Sequence, residues 1–213
     1  MTRLLHVAVS TRGSSSFSRR VAEALIEALH SVDPNLTVVE HDLAAVPPPN
    51  PDRDFIRASL MPEAERGEIE RAALALSDDL IGELDACELV VLSTPMHNFA
   101  TPSALKAGVD HVVRPGRTFR TSAAGKLGLL ADRPILAVIA YGGHFGEDVG
   151  AQVDFLTPYL RYVFAVVGIS SFEALRLEGL NRGEERIARS LDAARGWIAA
   201  ERARFSARLS PPR

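Results

Sequence analysis

Residues 4–29 read LLHVAVSTRGSSSFSRRVAEALIEAL, and the character of this stretch changes twice. Its first six residues are mostly β-formers, interrupted only by His6. The serine-rich residues 10–18 cannot continue a strand and suit a loop. From Phe17 onward the apolar residues recur at helical spacing. The stretch therefore predicts a strand, a polar loop and a helix in succession.

The same alternation continues along the chain. Further β-like runs lie at residues 36–39, 89–92, 134–140 and 170–177, and further helical patterns at 68–86, 103–113, 153–167 and 181–205. Alternating strands and helices predict an α/β fold with a five-stranded parallel sheet and helices on both faces. The strands are nearly continuous apolar runs, as expected of strands buried on both sides. We expect one domain over residues 1–209 and a disordered tail at 210–213.

Some segments carry a weaker pattern. Residues 42–54 are rich in proline and are expected to be irregular, residues 55–66 fit no single element, and residues 116–128 predict a loop or hairpin. In the helix at 68–86 the predicted core face consists of Ile69, Ala72, Ala73, Leu76, Leu80, Ile81 and Leu84. In the last strand the predicted core residues are Phe172, Ala174 or Leu175, and Leu177.

Composition narrows the class of protein. The 213 residues carry a formal net charge of -3, which gives no reason to expect nucleic acid or an anionic membrane as partner. The single Cys87 excludes an intrachain disulfide, argues against a cysteine-based metal site and fits a reducing compartment. No charged-then-apolar leader and no membrane-length apolar run are present, so we expect a cytoplasmic protein.

Three loops are the candidate sites. In an open parallel sheet, ligands bind beyond the carboxyl ends of the strands, where the strand order reverses. The first loop (residues 10–18), the second loop (95–99) and the third loop (140–144) follow predicted strands and are the most unusual segments of the chain.

The first loop offers hydroxyl and backbone N–H groups just before a helix. A helix N-terminus favours a phosphate, and Arg12 can add positive charge. The loop contains only Gly13, so it is neither a Walker sequence nor a G-x-G-x-x-G fingerprint. A serine-rich loop suits a dianionic monophosphate. The alternative is a simple multi-serine cap and turn.

The second and third loops suit a flat ring. Residues 95–99 read PMHNF and place an amide, an imidazole and an aromatic ring at the sheet edge. In the third loop Gly142 and Gly143 allow close backbone approach. The alternatives are a helix-entry turn with His97 exposed and a flexible strand-to-helix turn. A monophosphate pocket beside a flat-ring pocket suggests FMN.

These segments resemble the FMN-dependent NADH:quinone oxidoreductase and azoreductase family over nearly the whole chain. The similar segments are Ser10…Ser16-Phe17-Ser18, Leu76 to Ile81, Pro95-Met96-His97-Asn98-Phe99, Thr118-Phe119-Arg120, Tyr141-Gly142-Gly143, Thr157 to Leu160 and Gly168-Ile169. The Pro-Met-x-Asn-Phe segment is the most specific. The resemblance implies a flavodoxin-like fold, non-covalent FMN, and a homodimer with active sites at its interface. It also implies electron transfer from NADH or NADPH to quinones or azo compounds. Because donor and acceptor would share one cleft, we expect ping-pong kinetics.

The resemblance also assigns residues. The implied cofactor-binding set is Ser10, Ser16, Phe17 and Ser18 for the phosphate and ribityl chain, Met96, His97, Asn98 and Phe99 for the isoalloxazine ring, and Ala140, Tyr141, Gly142 and Gly143 for the surroundings of that ring. From their places in the first and second loops, Arg12 and Pro95 are added to the predicted cofactor-binding residues. The substrate-contact candidates are His97, His144 and Phe119, the last from its own or the partner subunit. No catalytic side chain and no metal ligand is predicted.

Two departures and two rival functions stay open. The family usually has Tyr in place of His97, and Ser-Arg in place of Ala140-Tyr141, so acceptor preference and pH response are expected to differ. One rival is a phosphatase or nucleotide-binding protein, which lacks an obvious nucleophile because Cys87 lies outside any phosphate loop. The other rival is a non-enzymatic flavoprotein, either a redox regulator or an electron carrier.

Overall fold

The computed structural model describes residues 2–146 and 149–209. Five strands form the main sheet: β1 (Arg3–Ala8), β2 (Thr37–Asp42), β3 (Leu89–Pro95), β6 (Ile135–Ala140) and β7 (Phe172–Leu177). Two short strands form a separate hairpin: β4 (Phe119–Ser122) and β5 (Gly125–Gly128). The helices are α1 (Phe17–His30), α2 (Arg53–Leu60), α3 (Glu68–Ala86), α4 (Ser103–Val112), α5 (Leu156–Val167) and α6 (Glu184–Leu209).

The main sheet is parallel throughout, in the order β2-β1-β3-β6-β7. Successive residues of β1 point to opposite faces, so Leu4 joins the core under α1 and α6, and Leu5 joins the core under α3, α4 and α5. The predicted five-stranded parallel sheet with helices on both faces is therefore confirmed. Because β2 and β3 lie on opposite sides of β1, the strand order reverses between β1 and β3.

Local capping explains where the helices begin. Asp52 caps α2, since its Oδ1 accepts from the N–H of Phe55 at 2.8 Å. This helix covers part of the segment at 55–66 whose pattern fitted no single element, and it also includes Arg53 and Asp54, which were wrongly expected to be irregular. The helical pattern at 153–167 becomes a helix only from Leu156. Asp154 precedes it and accepts from the N–H groups of Leu156 and Thr157 at 3.0 and 2.8 Å. Side-chain caps of this kind satisfy N–H groups that a helix leaves unpaired.

The predicted core face of α3 is wrong in part. Ile81 and Leu84 are buried as expected, but Ile69 and Leu76 are exposed and Ser77 is fully buried. Ser77 donates to the backbone oxygen of His111 at 2.6 Å and accepts from the buried Arg114 at 2.9 Å. A hydrogen-bonded polar side chain therefore occupies part of the core, where the apolar periodicity predicted only apolar side chains.

The hairpin predicted at 116–128 is present and packs against the end of α5. A Cβ on Gly128 would lie 2.5 Å from the carbonyl carbon of Val167, so the two backbones touch where no side chain fits. Gly168 ends α5 in a left-handed conformation with φ 108°, which glycine adopts without strain. The predicted disordered tail at 210–213 lies outside the described residues.

Candidate functional site

A cleft of about 640 Å³, counted with its open mouth, lies at the carboxyl edge of the main sheet. Thirteen residues line it: Ser10, Thr11, Arg12, Ser16, Phe17, Pro95, Met96, His97, Ala140, Tyr141, Gly142, Leu180 and Asn181. The first three loops thus meet in one cleft, joined by a fourth loop (residues 178–183) that follows β7.

The first loop ends in a capped helix start. The loop passes through Gly13 in a left-handed conformation, with φ 53°, and a single 3₁₀ turn. The Ser16 hydroxyl caps α1, accepting from the N–H of Arg19 at 3.4 Å, and lies 3.1 Å from the Ser18 hydroxyl. The N–H groups of Phe17 and Ser18 belong to the first turn, where the helix supplies no acceptor. These donors and the helix dipole make the loop an anion site.

A charged, partly exposed cluster supports the first loop. Arg19 pairs with Glu40 at 2.9 Å and with Asp42, both on β2. Burial raises the pKa of Asp42, but hydrogen bonds from the N–H groups of Ala45 and Ala44 and from Arg19 outweigh it and hold the pKa below its usual range. The cluster therefore ties the first turn of α1 to β2.

His6 lies beside this cluster in the core. Its Nε2 is 3.0 Å from the hydroxyl of Ser93, and both side chains are buried. Burial lowers the pKa of His6, opposed by Glu40 and Asp42 and assisted by Arg19. The imidazole is consequently held in its neutral form beneath the first loop.

The second loop is a tight turn with an unusual backbone. His97 and Ala100 exchange two backbone hydrogen bonds of 3.1 and 2.9 Å, and between them Asn98 and Phe99 have φ angles of 46° and 69°. Two successive left-handed residues are the signature of a type I′ turn, which suits asparagine but strains phenylalanine. Strain of this kind concentrates at functional sites. The turn presents His97 to the cleft, while Asn98 and Phe99 do not line it.

The third loop is held by the fourth. The N–H of Gly179 donates to Gly143 at 2.6 Å, and the N–H of Leu180 donates to Tyr141 at 3.2 Å. The Tyr141 ring is buried and stacks on Phe145 with centroids 4.7 Å apart. Burial raises the pKa of Tyr141. Gly143 is packed between the side chains of Tyr141 and Gln152 and does not line the cleft.

Besides Asn98, Phe99 and Gly143, three further predicted residues lie away from the cleft lining. Ser18 is fully buried beneath the first loop. Phe119 is buried in the hairpin, with the Lys126 ammonium 4.5 Å from its ring centroid. His144 is the last residue of the third loop, and its backbone oxygen accepts from the N–H of Gln152 at 3.0 Å. Substrate contact by Phe119 or His144 stays a prediction.

Sequence reasoning missed Thr11, Leu180 and Asn181. Thr11 lies inside the first loop, so the prediction of that loop could have included it among the site residues. Leu180 was assigned to no element, and Asn181 was expected to begin the last helix, which instead begins at Glu184. They reach the cleft because β7 pairs with β6 in parallel, so the loops after both strands meet at one edge. Only the strand order could have indicated them.

The residues present fit an FMN molecule. Buried hydroxyls and unpaired N–H groups at the start of α1 suit its phosphate, and Arg12 adds positive charge. The second and third loops supply Met96, Tyr141 and closely approachable backbone for a flat ring. The cleft also lies beside the strand-order reversal between β1 and β3, where nucleotides bind in folds of this topology.

The fold and the cleft define an α/β protein of the flavodoxin-like class. The family model described as flavodoxin-like fold matches residues 2–201. FMN-dependent NADH:quinone oxidoreductase 2 of Cupriavidus pinatubonensis is 53% identical over 197 residues, covering 92% of this chain and 96% of the relative. FMN-dependent NADH:quinone oxidoreductase 5 of Burkholderia lata is 39% identical, covering 93% and 94%. The chain belongs to the family of FMN-dependent NADH:quinone oxidoreductases.

A solved structure agrees with this assignment. The azoreductase from Bacillus anthracis str. Sterne superposes with a TM-score of 0.85 at 27% identity, covering 96% of this chain and 100% of that one. Among the described residues no helix is long and apolar enough to cross a membrane. Over residues 2–146 and 149–209, no three His, Cys, Asp or Glu side chains are grouped in a way that could hold a metal ion.

Proposed function

We propose that the chain binds FMN in the cleft and transfers two electrons from NADH or NADPH to quinones or azo compounds. One observation carries the proposal. The three loops that the sequence marked for a monophosphate and a flat ring meet in one cleft. The curated relatives that share this fold are named for FMN, NADH and quinone.

Each loop has its own task in this proposal. The first turn of α1 and Ser10, Ser16 and Arg12 bind the phosphate. Met96 and the backbone of the second and third loops hold the ring. His97 lies in the lining of the cleft, where an acceptor can contact it. Bound FMN supplies the redox chemistry, accepting a hydride equivalent and passing two electrons on.

Donor and acceptor share the cleft, which predicts the order of events. The nicotinamide product leaves before the acceptor enters, because both need the same face of the bound ring. Initial rates measured at several acceptor concentrations should give parallel double-reciprocal lines, the pattern of a ping-pong mechanism. Intersecting lines would instead indicate that donor and acceptor bind together.

A homodimer is the second part of the proposal. Three large side chains around the start of α5, Val153, Phe155 and Tyr162, are 59–70% exposed. Apolar exposure of this kind is typical of an interaction surface. Light scattering should give twice the monomer mass, and Tyr162→Arg should lower it and weaken FMN binding together. A monomeric wild type with full FMN binding would contradict this part.

The direct test is an absorbance titration. Purified protein is loaded with FMN, freed of excess cofactor, and mixed with NADH without oxygen. Retained flavin absorbance that bleaches supports the proposal, and added quinone should then restore it. Retained absorbance that NADH does not bleach would favour the carrier or regulator. No retained flavin would contradict the assignment of the cleft.

A further inference from the structure

The side chain of Asn181 lines the cleft from the fourth loop, which the sequence did not mark. Its Cγ lies 2.9 Å from the position that a Cβ would take on Gly142. Its backbone N–H donates to the oxygen of Gly142 at 3.2 Å. The carboxamide therefore rests directly on the Gly142 backbone, and this arrangement requires glycine at that position.

The position of Asn181 is fixed by the backbone. Together with its own hydrogen bond to Gly142, the bonds from Gly179 to Gly143 and from Leu180 to Tyr141 join the third and fourth loops by three backbone contacts. This frame places the start of the exposed Asn181 side chain at the edge of the cleft before any ligand arrives. Groups placed in advance bind at a smaller cost in entropy.

The carboxamide has unused hydrogen-bonding capacity. A carboxamide offers two donors and one acceptor oxygen. No other side chain or backbone group of the described residues forms a hydrogen bond with it. The third loop offers little polar competition, since Ala140 and the glycines carry no polar side chain and the Tyr141 ring is buried against Phe145.

We propose that Asn181 donates a hydrogen bond to the polar edge of the FMN ring and helps to set the affinity and the reduction potential of the cofactor. This inference rests on the proposed function. A donor fixed beside a group that gains negative charge stabilises the reduced form over the oxidised form. Loss of the donor therefore lowers the reduction potential as well as the affinity.

Three variants test the role of Asn181 by FMN titration of the apoprotein and by equilibration with a reference dye. Asn181→Ala should weaken FMN binding roughly tenfold, as expected for one hydrogen bond, and lower the potential. Asn181→Asp should lower the potential further, because it places a carboxylate beside the ring. Asn35→Ala removes an exposed amide from the turn before β2 and should change neither quantity.

The possible outcomes separate this inference from the proposed function. Failure of the wild-type protein to bind FMN would overturn the proposed function. Normal binding by the wild type with unchanged affinity and potential in Asn181→Ala would overturn only the role of Asn181. Weaker binding with an unchanged potential would also overturn it, since looser packing of the fourth loop explains that result.

Discussion

His97 and Ala100 face each other across the second loop and exchange two backbone hydrogen bonds, of 3.1 and 2.9 Å. The pairing forces both residues between them into left-handed backbone, and one of these is Phe99, which is 44% exposed. A strained aromatic residue that is nearly half exposed gains less from burial than a core residue does. We infer that the strain is retained for binding.

Phe99→Gly is the first prediction. Glycine adopts a φ of 69° without strain, which offsets the greater entropy of the unfolded chain. The apoprotein should be as stable as the wild type, or more stable by up to about 1 kcal/mol. FMN binding should weaken several-fold, because the turn that presents His97 to the cleft becomes looser. Urea unfolding of the apoprotein and an FMN titration measure the two effects.

Phe99→Ala is the matched control for this prediction. Alanine removes the ring but keeps the left-handed strain, so Phe99→Ala should be less stable than Phe99→Gly. A loss of more than about 1 kcal/mol in Phe99→Gly would show that the ring stabilises the fold. That result would contradict the inference that the backbone strain at Phe99 is retained for FMN binding.

The fold was largely predictable, because parallel strands buried on both faces produce apolar runs that alternate with helical spacing. The buried face of α3 was not predictable, because Ser77 is buried in a hydrogen bond with Arg114, which lies 37 residues further along the chain. Such a pairing of distant polar residues leaves no periodic signal. The start of α5 was also misplaced, although Asp154 is the kind of residue that marks a helix N-terminus.

The site was predictable where a loop follows a strand with an unusual sequence. The first three loops were found this way, and ten residues predicted to bind the cofactor line the cleft. Asn181 was not found, because its place depends on the pairing of β7 with β6 and on contact with Gly142. Both are tertiary relationships that a local pattern does not encode.

His97→Tyr is the second prediction. His97 lines the cleft at the end of the second loop, and its backbone, not its ring, makes the turn. Acceptor preference should change, seen as a several-fold shift in the ratio of kcat/KM for a quinone and an azo dye, with FMN retained. The exposed His30→Tyr at the end of α1 should leave the ratio unchanged. Loss of FMN from the His97 variant would contradict the prediction.

Gly108→Ala is the third prediction. Gly108 lies inside α4 beside an apolar cavity, and an added Cβ would meet Leu43 Cδ1 at 3.5 Å, an ordinary packing distance. The free energy of unfolding should rise by about 1 kcal/mol from helix propensity, with a further gain from packing against Leu43. Chemical denaturation measures the change.

Gly196→Ala is the comparison for the Gly108 variant. Gly196 lies inside α6, and an added Cβ would contact nothing within 4 Å, so only the propensity gain is expected. The excess stability of Gly108→Ala over Gly196→Ala measures the packing gain. Destabilisation by Gly108→Ala would show that the wall of the cavity cannot accept a methyl group.

His6→Gln is the last prediction and concerns pH. Burial lowers the pKa of His6 below its ordinary value of 6.5. Below pH 6.5 the unfolded chain therefore binds a proton that the folded protein excludes, so this residue makes stability fall as pH falls. The loss for one such group approaches at most about 1.4 kcal/mol per pH unit.

Glutamine keeps an amide near Ser93 but does not titrate. Urea unfolding of both proteins at several pH values between 5 and 8 should show a constant difference in unfolding free energy near pH 8. Toward pH 5 the wild type should lose stability relative to His6→Gln. Parallel curves over the whole range would show that His6 takes up a proton equally well in the folded and the unfolded protein. That result would contradict the conclusion that folding keeps the imidazole of His6 neutral.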